Sequence, residues 1–206
     1  MSEFKFPTEI VELPSKGFIY PKDNPLSSGK VEVKYMTARE EDILTNQSYI
    51  SKGTVLDKLL ESVIISKIDL DDLIVGDKNA LLIATRILGY GKDYEVEIKG
   101  KIENIDLSQL ENSPFDTSLI SQGVNEFEFL LPHSKTPITF KILTAKDEKG
   151  VESEVKGLKR LNKDASPELS TRLKHMICSV KGDTEKKAIR EFVDNYLLAR
   201  DSKALR

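Results

Sequence analysis

The sequence predicts an α+β fold in which amphipathic helices pack with short antiparallel strands and hairpins. Three observations carry that expectation. Apolar residues recur at helical spacing in four stretches, at residues 55–64, 78–88, 169–177 and 188–197. They alternate with polar residues in four others, at residues 31–35, 94–98, 127–131 and 138–142, as in strands with one buried face. The two kinds of stretch come in separate blocks, without the regular βαβ alternation of a parallel sheet. Two small subdomains are an option within this class.

Along the chain, Glu9-Ile-Val-Glu-Leu13 and Phe18-Ile-Tyr20 read as extended pieces around the turn Pro14-Ser-Lys-Gly17. There proline presets φ and glycine admits a positive φ. A polar loop over residues 22–30 leads to a strand carrying Val31, Val33 and Tyr35. Thr37-Ala-Arg-Glu40 has the spacing of a capping box, so a short helix should run through Leu44. Thr54 is placed to cap a helix whose stripe is Val55, Leu56, Leu59, Leu60, Val63 and Ile64. Asp77 is placed to cap the helix over 78–88. Ala80-Leu-Leu-Ile-Ala84 and Ile87-Leu88 leave that helix little polar face, which predicts burial on most sides, and Gly89-Tyr-Gly91 ends it.

Tyr94, Val96 and Ile98 form the next strand. Residues 106–124 are polar, Ser-rich and weakly patterned, as in a linker or mobile loop. They separate an N-terminal region, 1–105, from a C-terminal hairpin plus helices, 125–206. In the latter, Phe127, Phe129 and Leu131 should pair with Ile138, Phe140 and Ile142 across a six-residue loop bounded by Pro132 and Pro137. Ser166-Pro167 opens a helix that buries Leu169, Leu173, Met176 and Ile177. Ala188, Ile189, Phe192, Val193, Tyr196 and Leu197 mark the last helical stripe.

Val33-Lys-Tyr-Met-Thr37-Ala-Arg-Glu40-Glu is echoed by Phe140-Lys-Ile-Leu-Thr144-Ala-Lys-Asp147-Glu. Either good capping chemistry has been used twice by chance, or the two halves share a strand–cap–helix unit.

Composition excludes several function classes. Across 206 residues, 31 Lys and Arg against 34 Asp and Glu give a net charge of −3, with a pI near 5.6. A sequence-independent nucleic-acid binder needs a basic footprint instead. No apolar run approaches the ~20 residues that span a bilayer, and residues 1–7 lack the apolar core of a signal peptide. Cys178 is the sole cysteine, which excludes an internal disulfide and a Cys-rich zinc module. The expectation is a soluble protein made in the cytosol.

No constellation of catalytic residues emerges. His175 and Cys178 are three apart on one expected helical face, two ligands short of a structural zinc site. They read as a helix-surface histidine and a buried thiol, and His133 as an exposed loop residue. No Gly-x-Ser-x-Gly elbow occurs. Asp69, Asp71 and Asp72 form the densest acidic cluster, but Ile74 and Ala80 stand where a calcium loop needs Gly and Glu. The cluster reads as the start of a turn with Leu70 and Leu73 inward. The alternative is a magnesium site, as in a metal-dependent hydrolase. Gly89-Tyr-Gly91 ends a helix where a dinucleotide loop would open one. The basic residues between 141 and 163 are interleaved with Asp147, Glu148, Glu152 and Glu154, as on a solvated helical face. No catalytic residue, metal ligand or cofactor is expected.

Three blocks together carry a resemblance: Leu13-Pro-Ser-Lys-Gly-Phe-Ile-Tyr-Pro21, Val33-Lys-Tyr-Met-Thr-Ala-Arg-Glu-Glu-Asp-Ile-Leu44, and Leu73-Ile-Val-Gly-Asp-Lys-Asn-Ala-Leu-Leu-Ile-Ala-Thr-Arg-Ile-Leu-Gly-Tyr-Gly91. In this order they resemble the baseplate hub protein family of T-even-type bacteriophages. The ending Ala199-Arg-Asp-Ser-Lys-Ala-Leu-Arg206 is similar, more loosely, to tail proteins of this sort. The resemblance implies a late viral protein made in the host cytoplasm. It would build the central hub of a contractile-tail baseplate, as a virion component or an assembly factor. It implies other hub and tail proteins as partners, and self-association or binding to a ring; neither nucleic acid nor a membrane is expected as a partner, on the charge balance and the apolar-run length given above. Some relatives carry a Cys-x-x-Cys pair after the strand matching residues 94–98. Here Lys99-Gly-Lys-Ile-Glu-Asn104 holds no cysteine, so no metal role carries over.

An assembly protein needs surfaces. Leu13, Pro14, Gly17, Phe18 and Tyr20 could present a rigid turn and two aromatics to a neighbour, since aromatics bury much area at low entropic cost. The alternative is that Phe18 and Tyr20 pack on their own domain. Arg39 and Glu41, outward on the capped helix, could bridge to another subunit or simply be solvated. Arg86, within an apolar helix, needs a partner, and Asp42 or Asp77 could supply a structural ion pair.

Overall fold

The strand–cap–helix unit suggested by the Thr-Ala-basic-acidic echo forms twice in the computed structural model, which describes residues 7–111, 120–164 and 166–205. The chain divides into two units, Met1–Val124 and Asn125–Arg206, each with its own core. Helices and small antiparallel sheets make both, so the fold is α+β. Among the described residues no helix is long and apolar enough to cross a membrane.

In the first unit, β1 (Thr8–Glu12) pairs antiparallel with β2 (Lys30–Lys34), placing Val11 opposite Val31. The expected alternation holds in β2: Val31 and Val33 are fully buried while Glu32 and Lys34 are only half-buried. Phe18-Ile-Tyr20 is not the second strand. Residues 13–20 instead form consecutive turns, closed by Lys16 N–H on Leu13 O, Phe18 N–H on Ser15 O and Tyr20 N–H on Gly17 O. Positive φ at Lys16 (51°) and Gly17 (78°) curls the chain away from an extended path. A side chain at Gly17 would also sit 2.4 Å from Ser27 O, so only glycine fits. The polar loop that follows holds a 3-10 turn, Pro25–Ser28, which buries Leu26.

Thr37 opens α1 (Ala38–Leu44) as expected. An unanticipated helix, α2 (Gln47–Lys52), starts where the Asn46 side chain accepts from Ser48 and Tyr49 N–H. In α3 (Val55–Val63), Leu59, Leu60 and Val63 are buried, but Leu56 is exposed. The chain then returns beside β2: Ile64 bridges Val33, Ile65 N–H donates to Glu32 O, and Ser66 Oγ accepts from Glu32 N–H.

The next helix, α4 (Val75–Tyr90), begins earlier than expected. Ile74 is its N-cap, so Asp77 lies at the third helical position and does not cap it. Burial on most sides is also corrected: Asp77, Leu81 and Thr85 are buried, while Leu82, Ile83, Ile87 and Leu88 remain half-buried. After Gly91, β3 (Asp93–Ile98) pairs with the unanticipated β4 (Lys101–Asp106) in a separate two-stranded hairpin. Of the segment 106–124 expected as a linker or mobile loop, residues 112–119 lie outside the described residues. Leu107–Gln109 form a 3-10 turn, and Gly123 N–H donates to Phe18 O at 2.7 Å.

In the second unit, β5 (Phe127–Leu130) and β6 (Pro137–Phe140) form the expected hairpin. A third strand, β7 (Ile177–Val180), pairs with β6. Between them run α5 (Ala145–Leu161) and α6 (Glu168–Met176). Pro167 is the N-cap of α6, Leu169 is exposed, and Ile177 belongs to the strand. Then come α7 (Lys186–Asn195) and α8 (Ala199–Ala204). Leu131, Ile138, Leu173, Ile177, Val180, Ile189, Phe192 and Val193 form this unit's core. Tyr196 falls beyond α7 and is exposed.

The two units share one plan: hairpin, capped helix, further helix (α2 and α3 in the first, α6 in the second), and a return beside the second hairpin strand, a single bridge at Ile64 in the first and the strand β7 in the second. The caps share their carboxylate contacts. Thr37 N–H and Oγ1–H donate to Glu40 Oε2, and Thr144 N–H and Oγ1–H donate to Asp147 Oδ2. In each, a lysine three residues before the threonine reaches the same carboxylate: Lys34 to Glu40 at 2.9 Å, Lys141 to Asp147 at 2.7 Å.

Burial alone would push the Glu40 carboxyl up, but hydrogen bonds from Ser62, Thr37 and Lys34 outweigh it and hold it at about 2. A carboxyl depressed by folding stabilises above its unfolded value and loses that contribution as pH falls through its folded one. Glu40→Gln should therefore lower the urea midpoint at neutral pH, and the gap from the parent should close between pH 4.5 and about 2.

Candidate docking surface

One carboxylate organises the Leu-Pro turn. Asp77 is fully buried, and its Oδ1 accepts Ser15 N–H at 3.0 Å. Its Oδ2 accepts the Ser15 hydroxyl and the Tyr20 hydroxyl, each at 2.6 Å. The Tyr20 oxygen in turn accepts Ile74 N–H at 3.1 Å, and Ser15 Oγ accepts Gly17 N–H at 3.1 Å. Burial, then the Asp77 charge, pushes the Tyr20 phenol far above its ordinary range, so it remains a donor. Both ends of the turn are thus fixed to the start of α4.

This clamp corrects the expected interface. Leu13 is 2% exposed and Tyr20 3%, and Gly17 is buried, so these three serve their own unit. Pro14 and Phe18 are half-buried, and Lys16 is exposed at the tip of the turn. Arg39 and Glu41 are exposed on α1, as expected.

The Arg86 ion pair is also corrected. Asp77 is occupied by the turn and stands nine residues earlier, about 13 Å along the helix axis, beyond reach. Asp42 stands exposed on α1. Arg86 instead donates to Gly91 O at 3.0 Å and Asp93 O at 3.4 Å. Its guanidinium lies 4.8 Å from the Tyr90 ring centre and 5.6 Å from that of Tyr94. The Tyr90 hydroxyl bonds Glu41, whose carboxylate pushes the phenol upward. Arg86 therefore joins the end of α4 to the base of the β3–β4 hairpin.

A second clamp, on Asp201, was not anticipated. Asp201 is buried at the third position of α8, and its oxygens accept His133 N–H at 2.7 Å and Ser134 N–H at 3.0 Å, in the Leu131-Pro132 turn. Burial raises its carboxyl, yet these backbone donors hold it below the usual range. The sequence carried a sign of this. Leu73-Ile-Val-Gly-Asp77-Lys-Asn-Ala-Leu81 and Leu197-Leu-Ala-Arg-Asp201-Ser-Lys-Ala-Leu205 share Leu, Asp, Ala and Leu at the same spacing. Each answers an earlier Leu-Pro turn.

Other candidate chemistry disperses. His175 lies in the last turn of α6 while Cys178 lies in β7, so they share no helical face. His175 meets Glu154 at 3.0 Å, and Glu154 also accepts Arg190 through both oxygens; Arg190 chiefly holds that carboxyl at about 2. Burial pushes the Cys178 thiol up, away from a reactive thiolate. Asp69 accepts Asp71 N–H to start the turn Leu70–Asp72, Asp72 accepts from Asn24, and Leu73 is buried. Among the described residues, no group of three or more His, Cys, Asp or Glu side chains is arranged to hold a metal ion.

Large apolar side chains stand open to solvent in both units. Ile10 is 66% exposed on β1, and Ile65 shares its sheet face across Glu32. Tyr94, Ile98 and Ile102 are exposed on the hairpin, and Leu130, Leu161 and Tyr196 in the second unit. No family model matches the chain, and no curated protein or solved structure matches it significantly.

Asp77→Ala should destabilise the first unit by about 2–5 kcal/mol, because three buried donors lose their acceptor; denaturant unfolding measures it. Arg86→Ala should leave the global midpoint within about 1 kcal/mol while speeding amide exchange across residues 93–106, read by mass spectrometry.

Proposed function

We propose that this chain is a non-enzymatic baseplate hub protein of a contractile-tailed bacteriophage, acting as a structural component or assembly factor of the central hub. The observation that carries this reading is where the three resembling blocks lie. The block 13–21 is the clamped turn, 33–44 is the capped strand–helix junction, and 73–91 supplies Asp77 and Arg86. The resemblance therefore falls on the segments that build the first unit and leave Pro14, Lys16, Arg39 and Glu41 on its surface. Exposed apolar side chains on both units suit a protein that completes itself against neighbours. Its partners are other hub and tail proteins. Its place is the host cytoplasm during assembly, and the tail baseplate if it stays in the particle.

Co-expression with the hub proteins of the same phage should yield a co-purifying complex, and mass spectrometry of purified particles tells a retained subunit from a departing factor. Normal tails formed without this protein, together with no hub protein binding it, would overturn the reading. Uptake of magnesium or manganese that disappears in Asp71→Ala would favour the hydrolase alternative.

A further inference from the structure

The β3–β4 hairpin is the element the shared plan does not require. In the second unit the sheet, the cap and the clamped turn form among the described residues with no such hairpin. It is also the least supported element. Two strands alone are marginal in water and need a third strand or a packed face. Here every β3 residue except Val96 is exposed, and Arg86 holds only the base.

The two open edges differ in charge. On β3, Asp93, Glu95 and Glu97 lie on one face, so pairing β3 with another β3 would set like charges against each other. On β4, Lys101-Ile102-Glu103 is self-complementary. If two copies of β4 run antiparallel about a two-fold axis at Ile102, each Ile102 meets its counterpart. Each Lys101 then faces the other copy's Glu103, and the reverse contact repeats by symmetry. Ile102, 77% exposed and lying across from Glu97 in its own hairpin, has no apolar neighbour opposite it. The same pairing would extend the ribbon to four strands and close the edge that most invites addition.

We infer that β4 is a self-association edge: a second copy of this chain adds its own β4 antiparallel, centred on Ile102, with reciprocal Lys101–Glu103 pairs. Self-association in general is also what the hub resemblance implies; the particular edge, its register and its charge pairs rest on β4 alone, so a failure here leaves binding to other tail proteins untouched.

Sedimentation equilibrium of the full chain across a wide concentration range tests it. The expected mass rises from that of the 23.2 kDa chain to twice that value. Ile102→Lys should weaken association about tenfold or more, and Lys101→Glu or Glu103→Lys alone should weaken it several-fold. The double variant, Lys101→Glu with Glu103→Lys, should restore it, because the swapped charges again face each other. These residues are exposed, so circular dichroism of each variant should match the parent. A chain that stays monomeric at every concentration overturns the inference. So does a dimer indifferent to Ile102→Lys, or one the double variant fails to rescue, since either places the contact elsewhere.

Discussion

A carboxylate shut away from water needs donors, and Asp77 draws them from a turn 62 residues earlier in the chain. Ser15 supplies two and Tyr20 the third, while Tyr20 also satisfies the backbone at Ile74, where the helix begins. The same bonds settle where Leu13, Ile19 and Tyr20 point. With the turn pinned, these side chains are buried in the first unit, as are Leu26, Val31, Val33, Leu60, Val63, Leu73 and Leu81. Packing and polar satisfaction are one arrangement here: removing the carboxylate would strand the donors and loosen the apolar cluster together.

Charge is used in a consistent way at the two caps. Each threonine box would satisfy the helix start by itself, but in both units a lysine also reaches the box carboxylate, from the last residue of β2 (Lys34) and from the residue just after β6 (Lys141). That ties strand direction to helix direction. At Glu40 the carboxylate is fully buried, with Ser62 of α3 as a further donor, so β2, α1 and α3 meet on one side chain. Arg86 follows the opposite strategy. Among the described residues it meets no carboxylate and is satisfied by carbonyl oxygens and aromatic faces, which a planar guanidinium can do and an ammonium does poorly.

What the sequence disclosed follows from the range of the forces involved. Period-2 runs located β2, β3, β5 and β6, and helical stripes located α3, α4, α6 and α7, because burial of one face is written locally. The box spacing at Thr37 and Glu40 was equally local. The partner of β1 was not, since Phe18-Ile-Tyr20 has strand composition and only the positive φ at Lys16 and Gly17 diverts it into turns. β4 was hidden because Lys101-Ile-Glu-Asn-Ile-Asp106 buries neither face and so lacks a strand's alternation. At the site, a lone aspartate near a helix start reads as a cap. Its long-range role at Asp77, and that of Asp201, became readable only by setting the two Leu-x-x-x-Asp stretches side by side. Arg86 was assigned a carboxylate because sequence reveals the need for compensation without revealing the carbonyl oxygens at a helix end that can meet it.

The repeated plan creates a hazard of misassembly, since adjacent units of like topology can trade equivalent strands while folding. The two sheets differ in bulk at the place where such a trade would occur. β2 fills its site with Val31 and Val33, both fully enclosed. β6 fills the matching site with Ile138 and Phe140, whose ring contacts Phe127 and Phe129 at centroid distances of 5.5 and 6.1 Å. A phenylalanine in place of a fully enclosed valine would overpack that sheet, and a valine in place of Phe140 would forfeit its two ring contacts. Steric mismatch between the corresponding strands thus works against such a trade, although both precede the same kind of cap and follow the same kind of turn.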